Sequence, residues 1–478
     1  MSVHRKIPPD VAIGETIQSD VPPRLDALGW SAWHRRMVIA LGITWVLDGL
    51  EASLVTNLAP TLQLPQTLGL TGFQVGFASS LYLAGQVVGA IGFGHLTDRL
   101  GRKKLFFATL LLYLIATGLS GLAPTYWVFA IFRTLAGMGI GGEYSAINSA
   151  IDELVPARVR GRVDLAINGT YWLGVAGGAG LTVLLLDPHI MPISIAWRLA
   201  FGSGAILGLI VVVMRKDVPE SPRWLLMHGY TNEAEKITAE IEKQVGAKPA
   251  NVEPVAIKVH GPTNLAHLAH TLLVRFRKRT ILGLALMLAQ AFLYNAIFFS
   301  DTMILERFHG VAPDRVGLYV LPFAAGNFLG PLLLGHYFDQ WGRRVMIPIT
   351  YAASGVLLVI TGALFWAGYL DAMTQTIAWA VVFFVASAAA SSAYLTVSEL
   401  FPVELRGMAI ALFYAFGTLV GAVAPSLFGA IVDTGSKANL FYGYALASAL
   451  MIGAAVVARV YGVNAEGRSL ESLTAADS

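Results

Sequence analysis

Twelve times between residues 36 and 462 the chain runs for about twenty residues with hardly a charge. No other feature restricts its fold as much. A helix rises ~1.5 Å per residue, so such a stretch crosses the ~30 Å hydrocarbon core of a bilayer. The stretches lie at 36–60, 73–97, 104–122, 125–151, 163–186, 196–214, 280–304, 315–338, 345–366, 374–398, 407–432 and 438–462. Only 13% of the 478 residues are charged, against about 25% in a soluble protein. Those charges are bunched: 27 of the 63 fall in residues 1–36 and 215–279. A net charge of +3 and a hydrophobic share of 55% exclude a disordered chain and a nucleic-acid binder. The absence of Cys excludes disulfides, thiolate nucleophiles and Cys-ligated metal. The expected class is an all-α integral membrane protein of twelve transmembrane helices.

The connections alternate in character. One set carries Arg5, Lys6, Arg35 and Arg36, then Arg99, Arg102, Lys103 and Lys104, then Arg158, Arg160 and Arg162. Later members hold Arg275, Arg277, Lys278 and Arg279, then Arg343 and Arg344, then Arg406. The opposite set is nearly free of Lys and Arg, with none in 61–72 or 121–124. The positive-inside bias therefore puts both termini and the long central loop in the cytoplasm. The polar, Pro-containing first 35 residues do not read as a cleavable signal peptide.

Comparison of the chain with itself gives the organisation. Gly94-His-Leu-Thr-Asp98-Arg99-Leu-Gly101-Arg102 after span 2 returns as Gly335-His-Tyr-Phe-Asp339-Gln-Trp-Gly342-Arg343 after span 8. Glu153-Leu-Val-Pro156-Ala-Arg158-Val-Arg160-Gly161 after span 4 returns as Glu399-Leu-Phe-Pro402-Val-Glu404-Leu-Arg406-Gly407 after span 10. Two matches in one register indicate a duplicated six-helix unit, a plan used by transporters. The implied division is a segment 1–35, bundles 36–214 and 280–462, a loop 215–279 and a tail 463–478. Asp98, Arg99, Arg102, Glu153, Arg160, Asp339, Arg343, Glu399 and Arg406 are candidate gating residues, because ion pairs between loops can latch two halves and release them. The alternative is that the basic loops only set topology. In the central loop, Asn232-Glu-Ala-Glu235 opens a helical pattern running through Val245.

These motifs resemble those of the major facilitator superfamily across essentially the whole chain. Pro219-Glu-Ser-Pro222-Arg223-Trp-Leu and Arg133-xxx-Gly137-x-Gly139 resemble sugar-porter signatures, as does Gln290 with Asn295 and Phe298-Phe299-Ser300. Ala289 departs from that pattern, and span 10 reads Ala-Ser391-Ser392-Ala-Tyr394-Leu-Thr396 instead of carrying the Gly-Pro-x-Pro-Trp motif. Arg24-Leu-Asp-Ala-Leu, Trp33-His-Arg-Arg and Asp48-Gly49-Leu-Glu51 resemble the metabolite:proton symporters, a group that includes aromatic-acid carriers. The resemblance implies the major facilitator fold, two pseudo-symmetric six-helix bundles, with short helices in the central loop.

An ionisable group in the bilayer core costs ~2.5–3.5 kcal/mol or more, so each is a functional candidate. Asp48 and Glu51 in span 1 share a helix face. At ~1.5 Å per residue from Arg36 they lie ~18 and ~22 Å deep, while Arg133 lies ~12 Å from the other surface. In a ~30 Å core these depths nearly coincide. An acid from span 1 can meet Arg133, and a buried carboxylate pulled from its guanidinium takes up a proton. Asp48, Glu51 and Arg133 are the candidate proton-coupling residues, and the sugar-porter resemblance favours Glu51. Glu143, beside Gly141-Gly142 and Tyr144, is a candidate gating residue with Arg160 and Asp98; a place in the proton exit path and a structural pairing are the alternatives. Asp301 and Arg198 are expected at the outer rim, where snorkelling makes charge cheap.

Candidate substrate groups near mid-membrane are Asn57, Asn148, Asn168 and Tyr171 from the first half. From the second come Gln290, Tyr294, Asn295, Asn327, Ser391, Tyr394 and Tyr414. Amides and phenols bond hydroxyls or carboxylates, and rings stack on planar ligands. Arg133 could instead clamp a carboxylate cargo. No nucleophile–base pair, phosphate loop or metal cluster appears, so an enzyme is not expected. The expectation is a monomeric, inner-membrane, proton-coupled symporter for a small polar organic metabolite, an organic or aromatic acid before a sugar or polyol. Its coupling ion is the proton, and no cofactor or metal is implied. A facilitator, an exporter and a transporter-like sensor are the alternatives.

Overall fold

The computed structural model describes residues 10–11, 15–100, 102–154, 157–214, 218–247, 252–258, 271–400 and 403–462. Within those, side chains at 94–95, 97–100, 102, 144–153, 157–166, 168, 258, 271, 339, 394–395, 397–400 and 403–411 are not described. The helices are α1 (Val21–Ala27), α2 (Ala32–Gln63), α3 (Gly72–Leu100), α4 (Arg102–Gly121), α5 (Tyr126–Leu154), α6 (Ala157–Leu185) and α7 (Ile193–Met214). Two short ones follow, α8 (Pro222–Met227) and α9 (Thr231–Val245). Then come α10 (Arg277–Phe298), α11 (Asp301–His309), α12 (Val316–Gln340), α13 (Arg343–Trp366), α14 (Ala372–Leu400), α15 (Val403–Gly421), α16 (Val423–Asp433) and α17 (Lys437–Tyr461).

The twelve apolar stretches map onto these helices in order, with two corrections. Span 7 is not one rod: α10 ends at Phe298 and α11 starts at Asp301. Span 11 is broken between Gly421 and Val423, just ahead of Pro425, whose ring cannot sit within a regular helix ladder. Because one face holds both the start of α2 and the end of α17, it is called the terminal face below, and its opposite the far face.

The duplication read from the loops reappears in the packing. Spans 1 and 5 (α2, α6) pack as spans 7 and 11 do (α10, α15). Spans 2 and 4 match spans 8 and 10, and spans 3 and 6 match spans 9 and 12. The halves then meet along two related seams, α3 against α15 and α16, and α6 against α12. Close approach within the first half is set by glycine. A Cβ at Gly85 or Gly89 would strike the backbone oxygens of Thr134 or Met138. One at Gly137 or Gly141 would strike those of Tyr82 or Gln86. That draws α3 and α5 together around Arg133.

A second apolar core lies under the terminal face, where Val21, Leu25, Leu28 and Trp33 pack with Val218, Trp224, Leu225, Ala234 and Ile241. The segment ahead of span 1 is therefore folded onto the central loop. Its strand β1 (Thr16–Ser19) pairs antiparallel with β2 (Val255–Lys258). Arg24 reaches Glu242 at 2.7 and 2.9 Å and Glu235 at 2.9 Å. Asp10 accepts from the Asn232 N–H and the Thr231 hydroxyl at the start of α9.

Candidate functional site

Glu51 and Arg133 meet in the middle of the first half, both with no exposed surface. The Arg133 Nη1 group donates to Glu51 Oε1. The rest of each head group is satisfied by span 3: Thr117 Oγ1 donates to Glu51 Oε1 at 3.3 Å and accepts from Arg133 Nη2 at 3.3 Å. Tyr113 donates to Glu51 Oε2 at 3.5 Å, and Arg133 Nε donates to Ser120 Oγ at 3.2 Å. Tyr113, Thr117 and Ser120 recur at helical spacing, so one face of α4 presents all three. The guanidinium also lies over the Phe201 and Tyr82 rings, at 5.0 and 5.6 Å. Buried charges persist only when paired and hydrogen-bonded, and this pair is both.

Asp48 faces a different neighbour. Tyr82 on α3 donates to its Oδ1 at 3.1 Å. Glu143 is fully buried and accepts from Thr44 Oγ1 in span 1 at 3.3 Å. Asp48 and Glu51 thus sit on α2 against different helices, while Glu143 reaches α2 from α5.

Between the halves lies a group of rings. Trp172 on α6 stands edge-on to Phe298 at 6.2 Å and Phe323 at 5.9 Å. Phe323 meets Phe383 at 4.4 Å, and Phe383 meets Tyr294 at 4.9 Å. The Tyr294 hydroxyl donates to Asn327 Oδ1 at 2.8 Å, and Asn327 Nδ2 donates to the Phe323 carbonyl. Tyr171, half-buried, stands edge-on to Trp172. Tyr294, Asn327 and Tyr171 are thus joined by rings that sequence reasoning did not list: Trp172, Phe323 and Phe383. Their only sequence signal is position near mid-membrane, which most apolar residues share.

The other candidates are more scattered. Gln290 is buried against Met287 Sδ at 3.9 Å. Asn295 is half-buried, and Gly421 lies close enough that a Cβ there would meet its Nδ2. Tyr414 and Arg343 are half-buried, and Ser391 Oγ bonds the Ser387 carbonyl. Asn57 is fully buried, with neither amide atom hydrogen-bonded among the described residues. The side chains of Asn148, Asn168, Tyr394, Asp98, Arg99, Arg102, Glu153, Arg160, Asp339, Glu399 and Arg406 lie outside the described residues.

Asp301 corrects an expectation. It is buried, not at the rim, because the break after Phe298 turns α11 inward. There Thr302 Oγ1 donates to the Thr56 carbonyl at 2.5 Å, and Thr56 Oγ1 to the Phe298 carbonyl at 3.1 Å. Arg198 is half-buried, donating to the Gly121 and Ala123 carbonyls.

Two packed six-helix repeats, the first holding a buried ion pair, form the fold of a major facilitator superfamily transporter. Residues 51–475 match the sugar (and other) transporter family, and the chain belongs to it. It is 24% identical to the niacin transporter of Acinetobacter baylyi, over 95% of this chain and 99% of that one. It is 26% identical to a Cupriavidus pinatubonensis protein named "Probable 4-methylmuconolactone transporter", over 82% and 81%. Its fold matches the major facilitator proton:xylose symporter XylE with a TM-score of 0.71 at 18% identity, covering 94% of this chain and 99% of that one.

Proposed function

We propose that the protein is a proton-coupled symporter that carries a small polar organic metabolite by alternating access, with Glu51 as the proton carrier. The buried Glu51–Arg133 pair carries this reading. Arg keeps its proton under all relevant conditions, so only the carboxylate of the pair can exchange one. When α2 moves against α5, Glu51 loses its counter-charge while still out of water, and a proton is the least costly neutraliser. Pairing and protonation then alternate as the halves rock. Asp48, bonded to the Tyr82 phenol, is the second acid of the set.

The cargo reading favours an organic or aromatic acid. A ring cluster shared by both halves suits a planar ligand, with the Tyr294 hydroxyl and the Asn327 amide as polar fixing points. The niacin and 4-methylmuconolactone relatives support this side, and the xylose symporter supports the sugar alternative. Arg133 is engaged by Glu51 in this state, so it does not serve as a carboxylate clamp here. The basic loops support a cytoplasmic terminal face, and the bacterial relatives support an inner-membrane location.

The decisive variant is Glu51→Gln. Uphill uptake in proteoliposomes is abolished, while counterflow exchange of labelled cargo persists. Accumulation against a gradient in that variant overturns the proposal. A thermal-shift series with aromatic acids, aliphatic acids and sugars on the purified protein identifies the cargo class for these assays.

A further inference from the structure

The first turn of α3 is capped from two sources. Locally, Thr71 Oγ1 accepts from the Gln74 N–H at 3.1 Å, and Gln74 Oε1 accepts from the Thr71 N–H at 2.9 Å. This is a capping box, and Val75 N–H begins the regular ladder on the Thr71 carbonyl. Two donors at the helix start remain, those of Gly72 and Phe73. Both are taken by the other half of the molecule. Asp433, the last residue of α16, accepts from the Gly72 N–H through Oδ1 and from the Phe73 N–H through Oδ2, each at 2.7 Å. A carboxylate there also sits against the positive end of a 29-residue helix dipole.

The residues behind this contact are sized for it. A Cβ at Gly72 would lie 2.6 Å from Asp433 Oδ1 and 2.9 Å from the Gly429 carbonyl, and one at Gly76 would strike the Pro425 carbonyl. One turn on, the Ser80 and Ser426 hydroxyls bond at 2.5 Å, and the Ser426 N–H donates to Ser80 Oγ at 3.2 Å. Positions 72, 76 and 80 lie four apart on one face of α3; Gly72 meets Asp433 and Gly429 on α16, Gly76 meets Pro425, and Ser80 meets Ser426. The two helices close like a zip from the far face inward.

We propose that Asp433 is a gating residue of the transport cycle: a helix cap lent across the seam, formed only when the far face is closed, that sets how much of the protein rests in that state. When α3 and α16 part, the Gly72 and Phe73 donors pass to water, and the two charge-assisted bonds are lost. The capping box stays with α3 throughout, so the helix survives opening while the latch does not. The small-residue ladder gives the seam its fit, and Asp433 gives it a bond that responds to separation.

The test uses the absence of native cysteine. Leu122→Cys and Tyr369→Cys place spin labels on exposed far-face positions of opposite halves. Pulsed electron–electron distances are then measured in lipid nanodiscs without any cargo. In this background the short, closed distance dominates. Asp433→Ala is expected to raise the open-to-closed ratio at least about tenfold, as loss of two charge-assisted bonds requires. Asp371→Ala, which removes a far-face cap made within one half, leaves the distribution unchanged. An Asp433→Ala distribution identical to its parent, or an equal shift in Asp371→Ala, overturns the proposal. Should Asp433→Ala not purify folded, Asp433→Asn keeps one acceptor oxygen and carries the same test, with a shift of roughly threefold. The readout depends on neither cargo nor proton coupling, so it stands or falls apart from Glu51→Gln.

Discussion

The two halves pack their six helices in the same pairs, yet they fill matching places with different chemistry. The 246-residue offset that aligns Glu153 with Glu399 carries Arg133 onto Trp379. Both are fully buried and among the largest side chains in the interior. Around Arg133 every polar head group named above is bonded. Around Trp379, neither amide atom of Gln375 has a hydrogen-bond partner among the described residues. The first half carries one interior proline in its spanning helices, Pro60, whereas the second carries Pro322, Pro331 and Pro348 and breaks at spans 7 and 11. A proline removes a ladder bond and bends a helix. Duplication has thus yielded one half that holds a buried ion pair on unbroken spans and another whose spans 7 and 11 break.

That division is open to attack. Arg133→Met leaves the Glu51 carboxylate buried without its partner and is expected to cost about 3–5 kcal/mol in thermal unfolding of the purified protein. Adding Glu51→Leu removes the stranded charge and returns stability to within about 1 kcal/mol of the parent, though coupled uptake stays lost. A double variant as unstable as the single one would show that the first half needs its charges for folding and not for transport. In the second half the same kind of deletion has the opposite sign. Gln375→Leu removes an amide without partners and is expected to stabilise by about 1 kcal/mol. Destabilisation there would mean the two halves treat buried polar groups alike.

The smallest effect is at the rim of span 10. The Thr374 N–H bonded to Asp371 holds its carboxyl below the usual carboxylate range. A depressed value means the folded state keeps the ionised form, so this cap is intact at neutral pH and weakens as pH falls below about 3.8. Protection of the Thr374 amide, taken relative to its intrinsic exchange rate at each pH, should fall in acid in the parent and be low throughout in Asp371→Ala.

Much of this was legible in the residues themselves. Span length and the paired loop motifs are local properties, and depth along a helix is arithmetic, so the encounter of Glu51 with Arg133 could be anticipated. Tyr113, Thr117 and Ser120 were not anticipated, because hydroxyls are common in membrane helices and only the rotation of α4 singles these out. The break at Phe298 was hidden too: Phe299 and Ser300 carry no Gly or Pro to mark it, and the turn is held by Thr302 reaching Thr56 across 246 residues. The Asp433 cap spans 361 residues, and each of its donors is a backbone N–H that sequence does not display. What escaped is contact between distant segments, where the partner is set by helix rotation and not by spacing.

The strand pair under the terminal face has a consequence for the order of synthesis. Thr16–Ser19 emerge before any membrane helix, but their partner Val255–Lys258 follows the sixth one. Arg24 likewise waits for Glu235 and Glu242. The first residues made must therefore stay unpaired until the whole first half has been translated. The clasp can shut only after Val255–Lys258 has emerged, behind all six helices of the first half.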